Sequence, residues 1–238
     1  MSRALLIQEV DAGYGITTIL HGVSLQVRSG SIVTMVGPNG SGKSTMMKVA
    51  VGLLGVSRGN VCLDQQDVTH LDAPQRARIG IAYVPQERNV FRNMSVAENL
   101  QLGVEFLSDE SSAVLERRET VFAMFPDLRG RLQELGGNLS GGQRQMLAIG
   151  CALMSAPSVL LLDEPSAGLS PKYAEEMFAA VRRINQTGVT IFMIEQNTAL
   201  GLRCADTGVV LAAGSIRAVA PAAEILRDPE MKRLYLGG

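Results

Sequence analysis

The chain has no tryptophan, and aromatic residues make up only 4% of its 238 positions. Aliphatic side chains must therefore fill the core, and an apolar share of 46% supplies them. That composition excludes a disordered chain. It suits one large domain, or one domain with a smaller insert. Cysteine is scarce: Cys62, Cys151 and Cys204 stand far apart, without CxxC spacing or a nearby histidine pair. They read as buried free thiols rather than a disulfide framework or a zinc site, and so few fit a reducing compartment. Net charge is almost absent, with 22 basic against 23 acidic residues. Nothing in that balance favours a polyanion, so no nucleic-acid partner is expected. Long apolar runs are missing too. The longest, residues 146–154, falls far short of the roughly 20 residues that span a bilayer. Arg3 is soon followed by Gln8, Glu9 and Asp11, so the start does not read as a secretory signal. The expectation is a soluble chain whose membrane association comes through a partner.

What is present alternates in period. Residues 5–10, 16–27 and 32–36 read as extended, with a turn at Ser29 and Gly30. The run at 32–36 is short and β-branched, which suits a buried strand. A glycine-rich loop follows, then a helix over about 43–54. Residues 94–136 have a different texture, rich in Glu and Arg and helical in period. There Val114, Leu115, Val121, Phe122 and Phe125 fall on one face, predicting a helical insert with its own small core. Residues 158–162 and 189–194 read as buried parallel strands, with helices over about 171–186 and 222–227. Strand and helix in alternation imply an α/β sheet with right-handed crossovers.

Residues 37–45 run Gly37, Pro38, Asn39, Gly40, Ser41, Gly42, Lys43, Ser44, Thr45. They fit G-x-x-x-x-G-K-S/T between a predicted strand and a predicted helix. Glycines let successive N–H groups face inward as an anion nest, and the helix dipole points at the same place. Lys43 can bridge the β- and γ-phosphates of ATP, and the Ser44 hydroxyl can sit on Mg²⁺. This loop alone says P-loop NTPase and leaves kinases, GTPases and motors open. A second feature lies downstream. Residues 159–164 carry a buried strand into two acids, Asp163 and Glu164, and buried carboxylates need partners. Asp163 would hold Mg²⁺, directly or through water, and Glu164 would polarise the attacking water beside the γ-phosphate.

Residues 139–145 read Leu-Ser-Gly-Gly-Gln-Arg-Gln. Ser140, Gly141, Gly142 and Gln143 open a predicted helix over 142–155, which makes a second helix N-terminus built to meet an anion. One γ-phosphate needs one phosphate loop, so a second anion site implies a second nucleotide face. Here the sequence resembles the ABC-type ATPase family over essentially its whole length. The resemblance implies a single ATPase domain over 1–238, with a P-loop core on a mixed or parallel sheet. It also implies an N-terminal antiparallel β subdomain and a helical subdomain at about 94–150. In that family the signature of one subunit completes the ATP site of its partner in a head-to-tail dimer. Tyr14 stands where an aromatic stacks on adenine, or is an ordinary strand tyrosine. Gln86 matches the loop that reaches Mg²⁺ and faces the transmembrane partner.

Three further segments resemble the shorter ATPase subunit of branched-chain amino-acid importers, whose close relatives handle urea and amides. They are residues 91–100, residues 194–197, and the ending Leu234, Tyr235, Leu236, Gly237, Gly238. That likeness implies a second, related ATPase subunit, so a heterodimer, with two transmembrane permease subunits. It also implies, indirectly, a solute-binding protein and work at the cytoplasmic face of the plasma membrane. Two positions depart from the family pattern. Gln196 stands where most members carry a switch histidine; His21 and His70 both precede the signature and cannot fill that role. A Gln amide can still donate to phosphate, or Gln196 caps the following helix. Ser170 replaces a common Asp, which weakens contact across the dimer or simply caps the helix after it. A soluble ABC ATPase of the repair or translation type is the alternative. Repair members need a long coiled-coil insertion and translation members usually join two domains; this chain has neither. A P-loop small-molecule kinase leaves LSGGQ without a role.

Overall fold

The structure is a computed structural model that describes residues 2–105 and 111–235. Chain order places β1 (Leu5–Tyr14), β2 (Thr17–Val27) and β3 (Ile32–Val36) before α1 (Lys43–Val51). Next come β4 (Arg58–Leu63), β5 (Gln66–Asp67), α2 (Ala73–Arg78) and β6 (Ile81–Val84). A helical stretch holds α3 (Val96–Leu102), α4 (Ser111–Met124), α5 (Pro126–Arg129) and α6 (Gly141–Met154). Then β7 (Val159–Asp163), α7 (Pro171–Gln186), β8 (Thr190–Ile194) and α8 (Thr198–Cys204) alternate. The chain closes through β9 (Thr207–Ala212), β10 (Ser215–Pro221), α9 (Ala222–Arg227) and α10 (Pro229–Tyr235). Of the ending noted above, residues 236–238 lie outside the described residues.

Among the described residues the strands form two sheets. One is antiparallel in order β2-β1-β4-β5; the other runs β10-β9-β3-β8-β7-β6 and is parallel except for β10. The fold is α/β. Every residue of β3 and of β8 is buried, because the parallel sheet is covered on both faces. Alternation then divides the core. Val33, Met35, Val159, Leu161 and Phe192 face α1 and the antiparallel sheet. Ile32, Leu160, Leu162, Ile191 and Met193 face the helices α3 to α7. α7 is held there by Ala174, Met177, Phe178, Val181 and Ile184, the spacing of a single helical face.

The structure corrects several expectations. The helix after the loop ends at Val51, because Gly52 takes φ +84° and a Cβ there would lie 2.8 Å from the Leu71 carbonyl oxygen. The helical stretch has no core of its own. Val121, Phe122 and Phe125 join the sheet's Leu160 and Leu162 in one cluster, Val114 packs at its margin, and Leu115 is 51% exposed. Cys204 is buried as expected, but Cys62 and Cys151 are only half-buried; all three are free. The signature helix starts at Gly141, one residue earlier than predicted.

One buried cation fixes the far end of α1. Arg76 is 2% exposed. It donates to the carbonyls of Val49 at 2.7 Å, Ala50 at 2.9 Å, Leu71 at 3.0 Å and Thr69 at 3.1 Å. Val49 and Ala50 lie in the last turn of the helix, where orphan carbonyls and the negative dipole end favour a cation. Burial lowers the Arg76 guanidinium to about 10 and Asp67 opposes the shift, so it stays charged at neutral pH. Arg76→Met is expected to cost roughly 3 kcal/mol of stability, since it leaves these carbonyls unpaired in the interior. Urea unfolding checks this; a loss below about 1 kcal/mol would contradict the role.

Candidate functional site

The loop after β3 curls through three left-handed glycines: Gly37 at φ 152°, Gly40 at 77° and Gly42 at 104°. Space demands glycine at Gly37 as well, since a Cβ there would lie 2.0 Å from the Leu211 carbonyl oxygen on β9. Gly42 is the N-cap of α1 and supplies no side-chain cap. The first-turn N–H groups of α1 are therefore left for an anion. The Lys43 ammonium donates to the carbonyls of Gly37 at 2.8 Å and Pro38 at 3.0 Å, which holds it against the loop. Burial lowers its pKa, while Glu164 and Asp163 push it back up. The Ser41 hydroxyl is buried without a hydrogen-bond partner, so the loop has unspent donor capacity that suits phosphate oxygens. Ser44 is exposed and Thr45 buried on the first turn.

Three separate segments meet at Glu164. β7 runs out at Asp163, and Glu164 takes a left-handed φ of 48° with its N–H donating to the Ile194 carbonyl at 3.0 Å. Its Oε2 accepts from Gln86 Nε2 at 2.9 Å and from Gln196 Nε2 at 2.8 Å. Its Oε1 carries no hydrogen bond among the described residues. The Tyr83 hydroxyl donates to Asp163 at 3.2 Å. Burial raises the Asp163 carboxyl, as does Glu164, against the Tyr83 bond and the charges of Lys48 and Lys43. Tyr14 ends β1 and is 47% exposed. Lys48 on α1 lies 3.2 Å from its hydroxyl and 5.3 Å from its ring centre.

The signature sits apart, with no hydrogen bond to residues 37–45 among the described residues. Ser140 caps α6: its hydroxyl accepts the Gln143 N–H at 3.3 Å, and the Gln143 side chain accepts the Ser140 N–H at 3.0 Å. Ser140 and Gly141 are exposed, whereas Gly142 is buried. A Cβ on Gly142 would lie 2.8 Å from the Tyr173 ring of α7, so its glycine serves packing inside the chain. Neither Gln196 nor Ser170 caps a helix with its side chain. Asn197, not Gln196, caps α8, accepting the Leu200 N–H at 3.2 Å. Ser170 occupies the N-cap position of α7, but its side chain makes no capping bond.

Sequence reasoning gave no role to Lys48, Tyr83 or Asn89. Asn89 donates to Gln145 of α6 at 2.7 Å and links the segment after Gln86 to the signature helix. It also gave no role to Glu195, 1% exposed at the end of β8. An acid directly after the apolar run 191–194 was a readable signal there, like the one that marked Asp163 and Glu164.

Residues 20–167 match the family described as ABC transporter. The chain is 38% identical over 234 residues to the high-affinity branched-chain amino acid transport ATP-binding protein BraG of Pseudomonas aeruginosa, covering 98% of this chain and 100% of that one. It is 39% identical to a probable branched-chain amino acid transport ATP-binding protein, LivF, of Archaeoglobus fulgidus, covering 96% and 97%. The lipopolysaccharide export system ATP-binding protein LptB of Acidithiobacillus ferridurans is 34% identical, covering 100% and 98%. Among solved structures, an ATP-binding cassette of an ABC transporter in its ADP conformation superposes with a TM-score of 0.88 at 28% identity, covering 100% of each chain. A dimeric bacterial ABC transporter cassette gives 0.81 at 25% identity, covering 92% and 98%.

Lys43→Met is expected to weaken ATP binding by roughly ten- to a hundredfold, the loss of one charge-assisted contact, with little change in Tm. Titration with a fluorescent ATP analogue checks it; unchanged affinity would remove Lys43 from the phosphate site.

Proposed function

The chain belongs to the ABC transporter family as an ATP-hydrolysing subunit, and from that membership we propose that it drives import of branched-chain amino acids or a related small solute such as urea or an amide. Support comes from the two relatives named for branched-chain amino acid transport, at 38% and 39% identity over nearly the full chain. The export relative is less similar, at 34%. We read the chain as one ATPase domain over 1–238, with a helical subdomain at about 94–150.

Phosphoryl transfer leaves the protein mainly positioning and electrostatics to supply. In this reading the N–H groups of residues 37–45 and of the α1 N-terminus hold the phosphates. Lys43 spans the β- and γ-phosphates, and Tyr14 stacks on adenine. Glu164 orients the attacking water through Oε1 and takes up its proton as the water oxygen bonds to the γ-phosphorus. The bond from that phosphorus to the bridging oxygen breaks, and ADP leaves with the electron pair. Gln86 and Gln196 keep the carboxylate aimed, and the second N–H of the Gln196 amide is available to the γ-phosphate. Convergence of both amides on Glu164 Oε2 is the contact that supports this assignment most strongly.

Ser44, Asp163 and Gln86 would hold Mg²⁺, which when bound would counter the charge on the phosphate oxygens. The donor set fits: Asp163 is a carboxylate raised by burial, and the Gln86 amide keeps its oxygen free. Among the described residues no group of three or more His, Cys, Asp or Glu could hold a metal. That suits an ion whose other ligands are phosphate and water oxygens.

Ser140, Gly141, Gly142 and Gln143 serve the ATP of a second ATPase subunit, paired head to tail and most simply a longer relative. Among the described residues no helix is long and apolar enough to cross a membrane. Two permease subunits then provide the route, fed by a solute-binding protein, with this chain on their cytoplasmic face. Glu164→Gln is expected to keep ATP binding and to lower turnover at least about a hundredfold; normal ATPase rates in the assembled complex would defeat the assignment. Purification of the tagged chain is expected to bring down two hydrophobic subunits. Loss of labelled leucine uptake on its depletion tests the solute.

A further inference from the structure

A second buried carboxylate lies behind the cluster at Glu164. Glu195 follows β8 directly, and its N–H donates to the Met35 carbonyl of β3 at 3.2 Å. Its Oε1 accepts the Ser166 N–H at 3.0 Å. Its Oε2 accepts the Ser166 hydroxyl at 2.8 Å and the Asn197 N–H at 3.3 Å. Gly201 of α8 closes over it so tightly that a Cβ there would lie 2.9 Å from the Glu195 Cβ. No ion pair among the described residues reaches it. A buried charge without a counter-ion is costly, and an apolar side chain would fill the space at lower cost. What the carboxylate adds is three hydrogen bonds from two loops. Ser166 comes two residues after Glu164, and Asn197 comes one residue after Gln196.

We propose that Glu195 is a positioning residue for hydrolysis: by tying Ser166 to Asn197 it fixes the two loops so that the Gln196 amide reaches Glu164. It acts through those residues and touches neither nucleotide nor water. The inference rests on the reading of Glu164 as the group that orients the water.

The protonation of Glu195 gives the proposal a second readout. Burial pushes its carboxyl up to about 7, against the bonds from Ser166 and Asn197, and Glu164 adds to the rise. The titratable groups facing it are Glu164 beyond β7 and the Cys204 thiol of α8; β3 presents only a carbonyl. The unfolded carboxyl titrates near 4.5. Between these two values the folded chain holds the extra proton, so this group makes stability fall as pH rises through that window. Above it the cost is constant, and the ionised carboxylate accepts all three bonds. Turnover and stability therefore respond to pH in opposite directions.

The test compares Glu195→Gln, Ser166→Ala and the pair. ATPase kinetics are measured in the assembled transporter, and thermal unfolding between about pH 5.5 and 8.5. Glu195→Gln is expected to lower kcat roughly ten- to a hundredfold with KM for ATP nearly unchanged. Its Tm at alkaline pH should equal or exceed that of the parent, with a flatter pH dependence. Ser166→Ala should slow turnover too, and the pair should be no slower than Glu195→Gln alone. The proposal is overturned if kcat in Glu195→Gln stays near the parent's, if Tm falls with kcat, or if the two losses multiply. Glu164→Gln run alongside separates the two readings. Its continued turnover would sink the water-orienting role, whereas a dead Glu164→Gln beside an unaffected Glu195→Gln sinks only the positioning role.

Discussion

Two side-chain amides share one carboxylate oxygen, Glu164 Oε2, and the geometry of the site hangs on that junction. Gln86 arrives from the segment after β6, Gln196 from the segment after β8, and Glu164 from the end of β7. None is near another in sequence. They meet because β6, β7 and β8 are parallel neighbours in the order β8-β7-β6, so all three strands release their chains at the same edge. Parallel sheets gather chemistry at the carboxyl ends of their strands for this reason.

The strands themselves explain why charges collect there. Buried on both faces, β3, β7 and β8 can carry almost nothing but apolar residues. The first positions free of that restriction come where each strand ends: Gly37 after β3, Asp163 and Glu164 at the end of β7, Glu195 and Gln196 after β8. There the low dielectric is still close, so every carboxylate needs donors. Asp163 finds Tyr83, Glu164 finds two amides, and Glu195 finds Ser166 and Asn197.

Much of this was readable from residue order. The phosphate loop, the acid pair and the signature each announce themselves by local pattern, and the apolar runs of β3, β7 and β8 predict their own burial. What was not readable is pairing across distance. Nothing local tells that Gln86 and Gln196 share an oxygen, or that Asn89 reaches Gln145. Arg76 looks like an ordinary surface cation of a short helix until α1 ends against it. The packing of the helical stretch is hidden for a related reason. Periodicity shows that Val121 and Phe122 face something apolar, but not that this is the main sheet rather than a private core. Leu115 stays exposed because the apolar stripe in the sequence is wider than the face that packs.

The burial of Gly142 under Tyr173 has a consequence for symmetry. The exposed start of α6 is set against α7, and α7 is packed on the same sheet whose strand ends carry Glu164 and Gln196. In the proposed head-to-tail pairing each subunit lends one half of a site and keeps the other, and the pair closes only if the rotation relating the two is close to half a turn. If that rotation drifts, the same contacts propagate as an open chain. A glycine whose missing methyl group lets two helices touch thus sets the angle of α6 against α7, on which that rotation would depend.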